Sequence, residues 1–199
     1  NVTARVTGTT LALSSARDWS GGPVNVTVAA RDIGGLTANG TVGVTVTPVN
    51  DPPTLTAIPA VSFDEDKLSA LNLAQYVNDV DTPVGQLTWT ASGGQNVSVT
   101  VSGSRVAFSS AVNWHGTERI SFTVRDPGGL EATGGTQVTV NAVNDPPSVS
   151  AIPAQRFDED GSTSIDLAPY GSDIDGDALS WSVRSTDRSL TARVTGSRS

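Results

Sequence analysis

Apolar and polar residues alternate with a period of two along short stretches of this chain, most cleanly at Val97, Val99 and Val101 and again at Ile120, Phe122 and Val124. That period puts every second side chain on one face of an extended strand, so each stretch offers one apolar stripe to a core. Clusters of Gly, Pro, Asn and Asp separate the stretches, and these residues favour turns. Between residues 51 and 144 the pattern predicts seven strands, A to G: 54–63 with Pro59 interrupting it, 67–73, 86–92, 96–101, 105–109, 118–125 and 136–143. Very little helix is expected, because Val and Thr are frequent and β-branched side chains suit a pleated surface.

The pattern repeats. Asn50-Asp51-Pro52-Pro53 returns as Asn144-Asp145-Pro146-Pro147, an offset of 94 residues (144 − 50), and Phe63-Asp64-Glu65-Asp66 returns as Phe157-Asp158-Glu159-Asp160 at the same offset. Asp79-Val80-Asp81 recurs as Asp173-Ile174-Asp175, and Asp32-Ile33-Gly34-Gly35 as Asp126-Pro127-Gly128-Gly129. Trp19 and Trp114 correspond with a slip of one residue. The ends share Thr-Ala-Arg-Val-Thr-Gly, at positions 3–8 and 191–196, displaced by twice the period (191 − 3 = 188). A fixed period of this length signals an array of like units. The expected fold class is all-β: tandem seven-stranded Ig-like Greek-key β-sandwiches in a linear array, of the kind that the resemblance described below gives as cadherin-like. Residues 1–50 read as the C-terminal half of one repeat, 51–144 as a complete repeat and 145–199 as the N-terminal half of a third. The chain reads as a segment of something longer, with the halves completed by a parent chain or by neighbouring copies.

Antiparallel connections alternate between the two poles of a sandwich. The A–B loop (Asp64-Glu65-Asp66) and the E–F loop (Asn113-Trp114-His115-Gly116) are therefore expected at the pole where strand G leaves. The B–C loop (Asp79-Val80-Asp81) and the F–G loop (Asp126-Pro127-Gly128-Gly129) fall at the other pole. The Asn-Asp-Pro-Pro linkers join exit pole to entry pole, so the acidic motifs meet at the junctions.

Net charge sharpens this picture. The formal charge is −8, from 20 acidic and 12 basic residues, which argues against nucleic acid or an anionic membrane as partner. Most of the acidic residues lie in the repeating motifs, and carboxylates gathered in one place repel unless a cation neutralises them. Calcium accepts six to eight oxygens from Asp, Glu, Asn and backbone carbonyls in flexible geometry. The absence of Cys and the single His leave zinc and copper without their usual ligands. The junction at 144–147 is expected to draw on Glu65, Asn144, Asp145, Asp173 and Asp175, with Asp64, Asp66, Asn113 and Asp177 as further candidates. The junction at 50–53 is expected to draw on Asn50, Asp51, Asp79, Asp81 and Asp126, with Asp18 from the preceding segment. Asp173-Ile174-Asp175-Gly176-Asp177 has the start of an EF-hand loop, but Arg184 stands where the twelfth position needs a bidentate Glu.

Together, Val49-Asn50-Asp51-Pro52-Pro53, the Asp-Glu-Asp and Asp-x-Asp loops, and Asn113-Trp114-His115-Gly116 followed by Phe122-Thr123-Val124-Arg125-Asp126-Pro127-Gly128-Gly129 resemble the bacterial cadherin-like repeats of large surface and secreted adhesins. The resemblance covers the whole chain. It implies an extracellular, cell-surface role as structural extender, calcium as cofactor, and as partners the adjacent repeats or neighbouring copies in a filament. It also implies a cell-surface or glycan ligand elsewhere in the parent protein. By the same resemblance Asn144, Asp145, Asp173, Asp175 and Glu65 are interdomain ligands, and Asp126 serves the preceding junction. The chain departs from cadherins in having Asn-Trp-His-Gly where they carry a loop with a ligand Glu, which points to one or two ions per junction.

Two other function classes compete with the extender: a carbohydrate- or receptor-binding module, and spacer domains of a secreted enzyme. Trp19 and Trp114 occupy one fixed place in each repeat, which favours packing over sugar stacking. His115 has no nucleophile motif beside it, so the chain is expected not to be an enzyme, and no apolar run is long enough to insert into a membrane.

Overall fold

The computed structural model describes residues 2–195; residues 1 and 196–199, which the sequence assigns to the outer half-repeats, lie outside them. Alternation becomes strand in fifteen places: β1 (Val2–Thr7), β2 (Thr10–Ser15), β3 (Gly21–Arg31), β4 (Thr37–Val46), β5 (Thr54–Leu55), β6 (Val61–Asp64), β7 (Leu68–Asn72), β8 (Val77–Asn78), β9 (Thr88–Ser92), β10 (Val97–Ser102), β11 (Arg105–Ser110), β12 (Gly116–Arg125), β13 (Glu131–Asn141), β14 (Ser148–Val149) and β15 (Gly171–Ser172). The described residues hold three short 3-10 turns as their only helix.

Two sheets form the central sandwich, in the orders β10-β11-β7 and β6-β13-β12-β9. All pairings are antiparallel except β6 with β13, which run parallel in the register Val61↔Val138 to Asp64↔Asn141. The inward stripes of the two sheets make one core. Phe108, Ile120, Phe122, Val124 and Val138 are fully buried there, and Phe108 meets Phe122 edge to face at 6.4 Å. Among the described residues the buried hydrophobic core runs from Ile58 to Val140.

Two strands differ from the sequence reading. Strand A is broken into β5, which pairs with β8, and β6, which pairs with β13; between them the Pro59 carbonyl accepts a 2.6 Å hydrogen bond from the buried Thr136 hydroxyl. Strand G begins at Glu131 instead of 136 and ends at Asn141. Gly134 and Gly135 look like turn residues, yet they lie mid-strand where other chain segments come close: a Cβ on Gly134 would stand 3.1 Å from Leu55 Cδ1 on β5.

Local backbone geometry recurs along the chain. Asp18 and Asn113 both take left-handed φ values, 56° and 52°, and so do Asp66 and Asp160, at 58° and 60°. The β1–β2 and β10–β11 hairpins turn at Gly8 and Gly103, with φ of 62° and 58°. The β5–β8 pair has its counterpart in β14–β15.

Candidate metal centre

The linker at residues 50–51 is tied to both loops of the entry pole. The Asp51 backbone N–H donates to Asp81 Oδ2 at 2.7 Å, and the Asn50 amide donates to Asp126 Oδ2 at 2.7 Å. Asp79 folds the B–C loop by accepting from the backbone N–H groups of Asp81 (2.9 Å) and Thr82 (2.8 Å), both through Oδ1. Its Oδ2 is buried and has no hydrogen-bond partner. A buried carboxylate oxygen without a donor is costly unless a cation faces it. Beside this loop Asp18, Asp51, Asp81 and Trp19 line a cleft of about 330 Å³, with Arg17 Nε 3.5 Å from Asp18 Oδ1.

Asp126 is buried and has a double task. Its Oδ1 accepts the Leu130 N–H at 2.9 Å, closing the F–G loop, while Oδ2 takes Asn50. Burial pushes its pKa up, but the hydrogen bonds from Asn50 and from the N–H groups of Leu130, Gly129 and Gly128 outweigh burial and hold it below the usual carboxylate range. Asp32 closes its own loop in the same way, through Leu36 at 2.8 Å.

The junction at 144–147 repeats the linker bond and adds the exit pole. Asp145 N–H donates to Asp175 Oδ2 at 2.7 Å, and Asp173 Oδ1 accepts from Asp175 at 2.9 Å and from Asp177 at 3.3 Å. From the upstream sandwich comes Glu65, only 3% exposed, whose Oε1 accepts the Val143 N–H at 2.7 Å and stands 3.9 Å from His115 Nδ1. The Asn113 N–H donates to Asp66 Oδ1 at 3.2 Å. With its amide turned to satisfy its neighbours, the Asn113 side chain donates to Asp66 Oδ2 at 3.1 Å and Asp145 Oδ2 at 3.3 Å.

Loops from both sides of the junction thus reach Asp145. Burial, then the charges of Asp175, Asp66, Glu65 and Asp173, raise its pKa above the usual range. Asp66 and Asn113, secondary in the sequence reading, stand in this group; what could mark them beforehand is that both occupy tight loops that only Asn, Asp or Gly enter easily. Asp64 instead accepts from the Asn141 amide at 3.1 Å, and the Asn144 amide donates to the Asp145 carbonyl at 3.2 Å. Among the described residues no three His, Cys, Asp or Glu side chains close on a single point as a finished cage. The junction at 144–147 gathers carboxylates whose charges raise the pKa of Asp145, with the His115 imidazole beside Glu65, and at the junction at 50–53 Asp79 Oδ2 stands buried without a partner.

The sandwich orders, β7, β11 and β10 against β6, β13, β12 and β9, define an Ig-like domain. Residues 50–140 match the family model described as Bacterial Ig domain. No curated protein matches the chain. Among solved structures it is similar to the protocadherin GammaB4 extracellular domain, at 21% identity and a TM-score of 0.42 over 64% of this chain and 22% of that one. It is also similar to the endo-fucoidan hydrolase MfFcnA4 of glycoside hydrolase family 107, at 21% identity and a TM-score of 0.34 over 70% of this chain and 22% of that one. The chain spans about a fifth of the length of these structures. No helix among the described residues is long and apolar enough to cross a membrane.

Proposed function

We propose that this chain is a run of tandem cadherin-like repeats, divided at 1–50, 51–144 and 145–199, that extends an extracellular adhesin or surface filament and is stiffened by calcium at its junctions. It performs no catalysis in this reading. The observation that supports it is the convergence on Asp145, whose backbone N–H is held by Asp175 at 2.7 Å and whose Oδ2 takes the Asn113 amide at 3.3 Å; burial, then the charges of Asp175, Asp66, Glu65 and Asp173, raise its pKa. Repulsion of that kind would splay the junction, and a divalent cation turns it into attraction across the joint.

Glu65, Asn144, Asp145, Asp173 and Asp175 would hold the ion at one junction, with Asp66 and Asn113 beside them. Asn50, Asp51, Asp79, Asp81 and Asp126 would serve the other. Calcium would supply charge neutralisation and a fixed angle between repeats. The residues themselves already anchor each linker through the Asp51–Asp81 and Asp145–Asp175 bonds, and the paired prolines keep it extended.

The test is thermal unfolding and small-angle scattering of the full chain in calcium and in excess chelator. Chelation is expected to lower the melting temperature and to shorten the largest dimension. Identical curves in both conditions would sink the calcium reading.

A further inference from the structure

Asp–Pro peptide bonds occur at 51–52, 126–127 and 145–146. Such a bond can be broken from within, because the aspartate carboxylate can add to its own carbonyl carbon in a five-membered ring and the tertiary-amide nitrogen of proline can leave. Two things favour the step. One is a carboxylate oxygen left free to add; the other is a hydrogen-bond donor on the carbonyl oxygen, where negative charge develops.

The three bonds meet these conditions differently. The Asp126 carbonyl accepts the Gly129 N–H at 3.1 Å, but both carboxylate oxygens are engaged, Oδ1 by the Leu130 N–H at 2.9 Å and Oδ2 by the Asn50 amide at 2.7 Å. Asp51 is the reverse: among the described residues no hydrogen bond ties its carboxylate, and none reaches its carbonyl, since the Asn50 amide is turned to Asp126. Asp145 meets both conditions. The Asn144 amide donates to the Asp145 carbonyl oxygen at 3.2 Å, and the Asn113 amide reaches only Oδ2, at 3.3 Å, so Oδ1 is left to react. The bond from the Asp145 N–H to Asp175 Oδ2 at 2.7 Å holds the backbone from which this side chain projects. Two identical Asn-Asp-Pro-Pro sequences are therefore set apart by the fold: the first Asn holds the F–G loop, the second its own linker.

We infer that the 145–146 peptide bond is a self-cleavage site, with the Asp145 carboxylate as nucleophile and the Asn144 amide as the donor to the oxyanion. Oδ1 adds to the Asp145 carbonyl carbon, the C–N bond to Pro146 breaks, and the nitrogen takes a proton from water. The hydroxide so formed opens the cyclic anhydride that remains. One water is consumed in all: the upstream piece ends in Asp145 with two carboxyl groups, and the downstream piece begins with the secondary amine of Pro146. Each chain reacts once, so the event severs an array at this linker. It goes beyond the extender reading and needs no cation.

The test is intact mass spectrometry of the full chain over time, in excess chelator, at one mildly acidic pH where circular dichroism shows it folded, beside a sample in denaturant. Scission at 145–146 in the folded chain is expected to run about tenfold faster than at 51–52, an exposed donor supplying less than the hundredfold or more of a buried one, while 126–127 stays intact. In denaturant 51–52 and 145–146, alike in sequence, are expected to break at one rate. Asn144→Ala should bring 145–146 down to the rate of 51–52. Asp145→Glu, one methylene too long for the five-membered ring, should slow that scission well below 51–52, and an unchanged rate at 51–52 reports that each variant remains folded. Equal rates at the two sites in the folded chain, a preference for 145–146 that persists in denaturant, or an Asn144→Ala chain that cleaves as the wild type does would each overturn the inference.

Discussion

Asp145 gives its backbone N–H to the Asp175 side chain across 2.7 Å, and the same bond at the same length joins Asp51 to Asp81 one period earlier. A linker fastened to the Asp-x-Asp loop through its main chain leaves the aspartate side chain free to face the joint. The bond therefore holds the linker to this loop by itself.

Replacing Asp81 by Ala removes the acceptor for Asp51. The bond is exposed, so the loss is expected to be about 0.5–1 kcal/mol in chelator, read by chemical denaturation. In calcium the loss should be larger, because a proposed ligand is gone as well. Asp81→Asn keeps an acceptor and should restore the first loss but not the second.

The raised pKa of Asp145 has a definite sign. Between the ordinary carboxylate value and the raised one, the folded chain holds a proton that the unfolded chain has released, so folding stability falls as pH climbs through that window. Asp145→Asn should therefore stabilise the calcium-free chain at neutral pH, with the gain vanishing below the ordinary carboxylate range. Saturating calcium should reverse the ranking. Denaturant midpoints at neutral and acid pH, with and without chelator, check all three statements.

Glu118 behaves in the opposite sense. Burial pushes its carboxyl up, but hydrogen bonds from the Asn96 and Val97 N–H groups, the Asn96 amide and the Gln95 N–H lower it overall. The stabilisation it gives is present above the ordinary pKa and lost as pH falls through the folded value. Glu118→Gln is expected to cost about 1–2 kcal/mol at neutral pH, and the difference should shrink as both proteins are acidified.

Gly116 sits at φ 150°, and a Cβ there would stand 2.8 Å from Trp114 Cζ2. Gly116→Ala should destabilise the central repeat by about 1–3 kcal/mol through backbone strain and displacement of the indole. A near-zero change in melting temperature would mean that Trp114 is free to move aside and does not brace this pole.

How far the sequence reveals these features depends on how local their causes are. Strands 105–109 and 118–125 follow from alternation, and Ile120, Phe122 and Val124 are buried as their spacing requires. The early start of β13 was hidden because Gly134 and Gly135 carry no pattern of their own; the smallness of Gly134 answers to Leu55 on β5 and that of Gly135 to the Ile120 carbonyl on β12. The acidic loops were legible as motifs because they repeat. The alternation of loops between poles brings Asn50 and Asp126 to one junction, but the direct 2.7 Å bond between them, residues 76 positions apart, depends on how the fold packs there. Nor does sequence show that Asp79 Oδ2 lacks a partner, which is a property of packing.

The parallel run of β6 beside β13 places the incoming end of one strand and the outgoing end of the other at opposite poles. Tension applied between the two poles would pull these strands past each other, so the rungs from Val61–Val138 to Asp64–Asn141 would bear the load together in shear and not open one at a time. Under such a load the short pair would act as a clasp, where an antiparallel hairpin pulled from its open end would peel rung by rung.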